Sequence, residues 1–300
     1  MLLLVATAAG WVYQRISDRR DLVRTPPPGQ LVEIGTHRLH IWCTGMGSPA
    51  VILDSGLGDT SFGWGYVQPE VAKFTQVCSY DRAGQGYSDA GPSPRTSAQI
   101  AKEVDELLRR SSIVSPVIAV GASIGGLNMR FLASQYPDRV AGLVLVDASH
   151  EDQGFQMPPY ASLVPIAGQV GIMRLLGVSL GRDPQLEAPA VRDFERATAF
   201  RTVRYQSMYE EVTHIPESAT QVRSTRRELS IPVTVVTAGR GTNEQWRTLQ
   251  RDQASLSKRS CQTVAERSGH VIAIRQPEIV TKAIRATFEA ARSGSTPNCG

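Results

Sequence analysis

Gly121-Ala122-Ser123-Ile124-Gly125, preceded by the apolar run Pro116 to Val120 and followed by Leu127 to Tyr136, is the stretch on which the fold turns. A serine between glycines in the pattern G-x-S-x-G suits a cramped strand-to-helix turn, where a bulky residue at 121 or 125 would collide with neighbouring backbone. The pattern also occurs at Gly177-Val178-Ser179-Leu180-Gly181, so context has to separate the two. Only Ser123 follows a strand-like run and opens a helical one. Ser179 follows Met173-Arg174-Leu175-Leu176 inside a helical segment and reads as a turn serine. Ser123 is therefore the candidate nucleophile, with Gly121 and Gly125 as its structural glycines.

Working outward, strand-length apolar runs alternate with helical segments, the pattern of an α/β fold with a mostly parallel sheet. The candidate strands are Leu31 to Ile34, Leu39 to Cys43, Ala50 to Leu53, Gln76 to Tyr80, Val117 to Val120, Gly142 to Val146, Val233 to Thr237 and Gln262 to Ala265. Ile100, Val104, Leu107 and Leu108 lie on one helical face behind Ser97, which could cap it. Val280, Ile284 and Phe288 form a second stripe behind Pro277. Between Ser149 and Ser230 the alternation stops for a longer stretch than a crossover needs. Helical patterns at Ile166 to Leu176 and Val191 to Tyr209 make this a predicted helical cap inserted between strands six and seven. The expected organisation is an N-terminal segment and linker (1–28), a core (29–148 and 230–293), the cap (149–229) and a tail (294–300).

Residues Met1 to Tyr13 are apolar and lead directly into Arg15, Arg19 and Arg20. The run is shorter than a spanning helix needs and lacks signal-peptide flanks. It reads either as a short membrane anchor, giving membrane association through residues 1–13, or as a helix packed on the domain. Pro26-Pro27-Pro28-Gly29 follows as a stiff spacer. With 32 basic and 28 acidic residues and no long basic block, the chain gives no support for nucleic-acid binding. The four cysteines lack zinc-site spacing, so no metal is expected. Cys43, Cys78, Cys261 and Cys299 allow two disulfides in an oxidising compartment, or buried free thiols. The corresponding location is membrane-associated or extracytoplasmic, with the cytoplasm as the other option.

Three further motifs carry chemistry. Asp54-Ser55-Gly56-Leu57-Gly58 follows the third strand, where a turn can aim a backbone NH at a developing oxyanion. Leu57 and Ile124 are the two candidate donors. Asp81-Arg82-Ala83-Gly84-Gln85-Gly86-Tyr87-Ser88 follows the fourth strand; Gly84 and Gly86 give backbone freedom and Asp81 can bind loop NH groups, an architectural role. Of the five histidines, only His270 follows the last strand, in Ser268-Gly269-His270. It is the candidate base, since an imidazole suits proton transfer near neutrality. His37, His40 and His214 read as surface or hydrogen-bonded residues, and His150, where the cap begins, as a residue that could line the pocket.

The motifs D-x-x-G-x-G-x-S, G-x-S-x-G and the late G-H, in this order over roughly Leu31 to Arg292, resemble those of the α/β-hydrolase family. The resemblance implies an eight-stranded sheet, a Ser-His-acid triad and a lid between strands six and seven. The sequence departs from the family pattern in three places: Ser55 stands where many members have His, Ala122 where a bulkier residue is usual, and the loop Ala238 to Glu244 has no Asp where the triad acid commonly lies. Two acids are left as candidates. Asp147 ends the sixth strand, from which members resembling haloalkane dehalogenases supply the acid. Glu244 lies slightly late in the usual loop. Asp147 is preferred, because a carboxylate at a strand end is held more rigidly than one in a loop.

The expected reaction is hydrolysis of a small-molecule carboxylic ester through an acyl-enzyme, with no cofactor. A serine nucleophile argues against epoxide or haloalkane hydrolysis, which in similar folds begins from an aspartate. The alternatives are a carbon-carbon bond hydrolase or an aminopeptidase on the same triad, and a non-catalytic binding protein. A peptidase would need acids in the cap, for which Glu151, Asp152, Glu210 and Glu211 are candidates.

Overall fold

Each of the eight apolar runs forms a strand: β1 (Gln30–Glu33), β2 (Arg38–Thr44), β3 (Val51–Asp54), β4 (Val77–Tyr80), β5 (Val117–Ala122), β6 (Val140–Val146), β7 (Val233–Ala238) and β8 (Ser260–Ala265). They share one sheet in the order β1-β2-β4-β3-β5-β6-β7-β8. β2 runs antiparallel to both neighbours, and β3 to β8 are mutually parallel. The structure, a computed structural model, describes residues 1–111, 113, 116–180 and 186–300, the side chains of residues 2 and 3 excepted.

The helices are α1 (Leu2–Arg24), α2 (Gln68–Val71), α3 (Ser97–Arg110), α4 (Gly125–Gln135), α5 (Leu163–Gln169), α6 (Ile172–Leu175), α7 (Arg192–Thr198), α8 (Thr202–Thr213), α9 (Ile215–Ser224), α10 (Glu244–Ala254), α11 (Ile272–Arg275) and α12 (Pro277–Ser293). Alternation along the central strands divides the core between the two faces of the sheet, as a parallel sheet covered on both sides requires. Ile52, Ala119, Leu143, Leu145 and Val235 pack with Ile100, Val104, Leu107 and Leu108 of α3 and Met129 and Leu132 of α4. Leu53, Val120, Val144, Val146 and Val236 point the other way, onto Val71 of α2 and Val280, Ile284 and Phe288 of α12. The cap of α3 is Thr96, whose side chain accepts from Gln99 N, and not Ser97. The Ser97 hydroxyl instead donates to Asn128 Oδ1 at 2.8 Å.

Between β6 and β7 the chain forms α5 to α9. Both segments read as helical are helical, each in two pieces: Gly171, at φ +75°, separates α5 from α6, and residues 199–201 separate α7 from α8. Of the second G-x-S-x-G stretch, Gly181 lies outside the described residues; Ser179 is not in a helix or strand, and its hydroxyl accepts from Arg204 at 3.0 Å. The N-terminal apolar run continues as the single helix α1, and among the described residues no helix is long and apolar enough to cross a membrane. α1 packs on the inserted helices. The Gln14 amide donates to Phe200 O at 2.5 Å, and Arg174 pairs with Asp18 at 3.0 Å and Asp21 at 2.5 Å. All four cysteines are paired. Cys43 and Cys78 join facing positions of β2 and β4, and Cys261 of β8 joins Cys299 near the end of the chain.

The start of the inserted segment is tied to the core through a buried charge cluster. Both Glu151 oxygens accept from Arg130, one also from Arg226, and the His150 ring bonds Asp252 at 2.8 Å. Burial opposes ionisation of Glu151, but Arg130 more than reverses this and takes the carboxyl from its ordinary 4.5 down to about 2. A depressed folded-state value stabilises the fold above 4.5, and that stability is lost as pH falls toward 2. Urea denaturation of the wild-type chain should therefore show a declining midpoint across this window, and Glu151→Gln a shallower decline. Equal slopes would show that Glu151 does not carry this pH dependence.

Candidate active site

Strand β5 delivers Ser123 to the edge of the sheet in a left-handed conformation, φ +52°, which is rare for a residue with a side chain. The two flanking glycines are required by close approach. A Cβ at 121 would lie 2.4 Å from Gly125 O, and one at 125 would lie 2.6 Å from Asp54 O. The turn is also tied to β6: Ser123 N donates to Val146 O at 3.2 Å, and Ser149 N donates to Ser123 O at 2.8 Å.

His270 arrives from the loop between β8 and α11. Its Nε2 lies 3.0 Å from Ser123 Oγ, and its Nδ1 lies 2.7 Å from Asp147 Oδ2. A carboxylate oxygen accepts, so Nδ1 carries the proton and the Nε2 lone pair faces the serine hydroxyl. Asp147 follows β6 and is also left-handed, at φ +41°. Its other oxygen accepts from Ala238 N at 3.0 Å and from Trp246 Nε1 at 2.9 Å. Trp246 escaped the sequence reading, because an indole on a polar helix has no motif; an aromatic in the first turn of the helix after β7 was the available signal. Glu244, the other candidate acid, stands at the start of α10 with its side chain 70% exposed, paired with Arg251. It does not meet His270.

Gly56 packs against Ser123, with Leu57 next in the chain. Among the described residues neither Leu57 N nor Ile124 N has a protein acceptor, so both amides are available to a ligand. The loop that carries Leu57 is held from behind by Arg82, which is 2% exposed. Its guanidinium donates to Ser55 O at 2.6 Å and Gly56 O at 2.7 Å, and pairs with Asp54 at 2.6 Å and Glu211 at 2.9 Å. Burial alone would lower the Arg82 pKa, but Glu211 and Asp54 hold it well above the ordinary value. Asp54 also accepts from Asn128 at 2.9 Å. Asp81, in the second glycine loop, accepts from Ser61 N at 2.7 Å, Tyr87 N at 2.9 Å and the His40 ring at 2.8 Å.

Ser123 and His270 border a cavity of about 310 Å³, whose lining includes Gly56, Leu57, Ala122, Val146, Leu186 and Ile272. His150 is not among the lining residues. It is held in the charge cluster at the base of the inserted segment, so the expectation that it could line the pocket is corrected. Among the described residues no cluster of three or more His, Cys, Asp or Glu could hold a metal. A hydroxyl facing an imidazole that a carboxylate orients, beside two unengaged amides, can perform nucleophilic attack with proton transfer.

Removing Arg82 would strand two buried carboxylates. Arg82→Met should lower the unfolding free energy by about 3–5 kcal/mol, the scale for breaking a buried ion pair. Urea titration followed by circular dichroism measures this, and a loss below about 1 kcal/mol, the level of an exposed pair, would show that the loops are held by other contacts.

Residues 49–278 match the family described as alpha/beta hydrolase fold. The probable transporter efuK of Hormonema carpetanum is similar at 32% identity over 136 residues, which is 43% of this chain and 20% of that protein. The chain spans only 20% to 39% of the length of the first curated relatives it matches. Among solved structures, Cfl2 from Burkholderia cenocepacia superposes with a TM-score of 0.70 at 20% identity, covering 86% of this chain and 95% of that one. A thermophilic esterase from Thermogutta terrifontis gives 0.68 at 21% identity, covering 88% and 100%. With a family match across most of its length, the chain belongs to the α/β-hydrolase fold family.

Proposed function

We propose that this protein is a serine hydrolase of small carboxylic esters. The observation that carries the reading is the run of contacts from Ser123 Oγ to His270 Nε2 at 3.0 Å and from His270 Nδ1 to Asp147 at 2.7 Å. Ser123 attacks the ester carbonyl as His270 takes its proton. Leu57 and Ile124 NH groups stabilise the oxyanion, and His270 returns the proton to the departing alcohol. Water, deprotonated by the same imidazole, then attacks the acyl-enzyme, releasing the acid and restoring the hydroxyl. Asp147 orients the imidazole and supports its positive charge, while Trp246 and Ala238 N position Asp147.

The largely apolar lining supports an uncharged acyl group over a charged one. Glu151, Asp152, Glu210 and Glu211 do not line the cavity and are bonded to Arg130, Arg223, Ser93 and Arg82 respectively. This favours an ester over a peptide with a free amine, although Asp59 does border the cavity. The two disulfides support a domain that faces an oxidising compartment.

Labelling by a fluorophosphonate probe should occur in the wild-type chain and be absent in Ser123→Ala. Short p-nitrophenyl esters should be hydrolysed faster than an aminoacyl amide. Asp147→Asn should lower kcat about 10³- to 10⁴-fold, while Glu244→Gln leaves it unchanged. Trp246→Phe should lower it by about tenfold, the scale of one hydrogen bond to a charged group. Folded protein that neither labels nor turns over would favour a binding role, and loss of activity in Glu244→Gln but not Asp147→Asn would reassign the acid.

A further inference from the structure

The cavity beside Ser123 is the unfilled end of the apolar layer on one face of the sheet. Along β5 the alternate residues Ile118, Val120 and Ala122 point to that face, as the two-residue period of a strand requires. On β6 the matching residues are Val144 and Val146, and Val146 stands beside Ala122 in the sheet register. At Ile118 and Val120 this layer packs against side chains of α2 and α12. One step further β5 presents only a methyl group, at Ala122, and there the cavity of about 310 Å³ opens, bordered also by Val146 and by Ile272 and Ile274 of α11. Val146 and Ile272 are each 1% exposed, so this part of the border belongs to the core. Among the described residues, the inserted segment contributes Leu186 alone.

We propose that this space receives the acyl group of the ester, that Ala122 sets its length, and that the preferred substrates are esters of apolar acids of about six to eight carbons. The inference rests on the hydrolase reading above and adds to it the acyl class and the residue that selects it. The departing alcohol takes its proton from His270 Nε2 and so lies at the imidazole, whose side chain is 54% exposed. That leaves the core end of the cavity, at Ala122 and Val146, to the acyl chain. A chain placed there continues the apolar layer of the sheet, and each methylene it buries contributes about a fourfold gain. At roughly 30 Å³ for each water-sized group, the cavity holds about ten non-hydrogen atoms, of which the ester group itself takes about three. Acyl length is thus decided by the end of β5 and by α11, and not by the inserted helices.

The isomers ethyl hexanoate and hexyl acetate contain the same atoms, with the longer chain on opposite sides of the carbonyl. The wild-type chain should hydrolyse ethyl hexanoate faster by about tenfold or more; the reverse order would place the alcohol in the cavity and overturn the proposal. Among p-nitrophenyl esters, kcat/KM should rise about fourfold per methylene from acetate to hexanoate. Ala122→Leu adds three carbons to the border and should cut the hexanoate-to-acetate ratio by about 60-fold, fourfold for each displaced methylene. Ile274→Ala removes three carbons from the facing side and should move the best substrate to a longer acid, a readout that stands even where Ala122→Leu does not fold. Reaction with the fluorophosphonate probe shows that the site of each variant is intact. A wild-type chain that reacts with the probe but treats acetate and hexanoate alike, or reactive Ala122→Leu and Ile274→Ala chains with an unaltered preference, would overturn the inference and leave the hydrolase reading standing. A folded wild-type chain that neither reacts with the probe nor turns over any ester would overturn both.

Discussion

The backbone of Ser123 is the constraint around which the site is arranged. A left-handed residue with a side chain costs on the order of 1–3 kcal/mol and persists only where its surroundings over-determine it. Here the surroundings do so from three directions. Gly121 and Gly125 let the strand and the start of α4 pass within contact of each other and of the loop after β3, and two backbone hydrogen bonds tie the turn to the end of β6. The adjacent strand repeats the device, since Asp147 is also left-handed. Two neighbouring parallel strands thus end at one sheet edge in conformations that lift a hydroxyl and a carboxylate clear of the core. The imidazole of His270 lies between them.

A second layer of order comes from buried charge. Arg82 binds the carbonyls of the loop that carries Leu57 and at the same time pairs with Glu211 of α8. Arg204 of α8 donates to Gly58 O at 2.7 Å, and Glu195 of α7 accepts from the Thr60 hydroxyl at 2.6 Å. Arg201 reaches the carbonyls of Gly86 and Ser88 in the other glycine loop. The inserted segment is therefore fastened to both glycine loops, of which the one after β3 also lines the cavity. Such contacts contribute specificity of arrangement more than net stability, because each buried charge carries a desolvation cost that its partners offset.

Much of this was legible along the chain because periodicity and glycine spacing are local properties. The eight strands and the two amphipathic helices α3 and α12 follow from alternation of apolar residues, and Ser123 was separable from Ser179 by the strand before it. The helical character of the inserted segment was legible too, but its breaks were not, because Gly171 and the turn at 199–201 interrupt stretches whose composition stays helical. The role of residues 1–24 was open for a related reason. Their composition fits a membrane helix and a packed helix equally well until Gln14, Asp18 and Asp21 find partners in Arg174 and Phe200.

The sequence by itself determined the order of elements, the strand-to-helix turn at Ser123 and the late histidine, since each depends on residues within a few positions of one another. Tertiary structure alone decided that Asp147 meets His270 and that Glu244 does not, that Trp246 supports the acid, and that Cys43 pairs with Cys78 and Cys261 with Cys299. These are contacts between residues many tens of positions apart. They are set by strand order and register, and by which side chain the packed core leaves facing the sheet edge, and no local pattern encodes either.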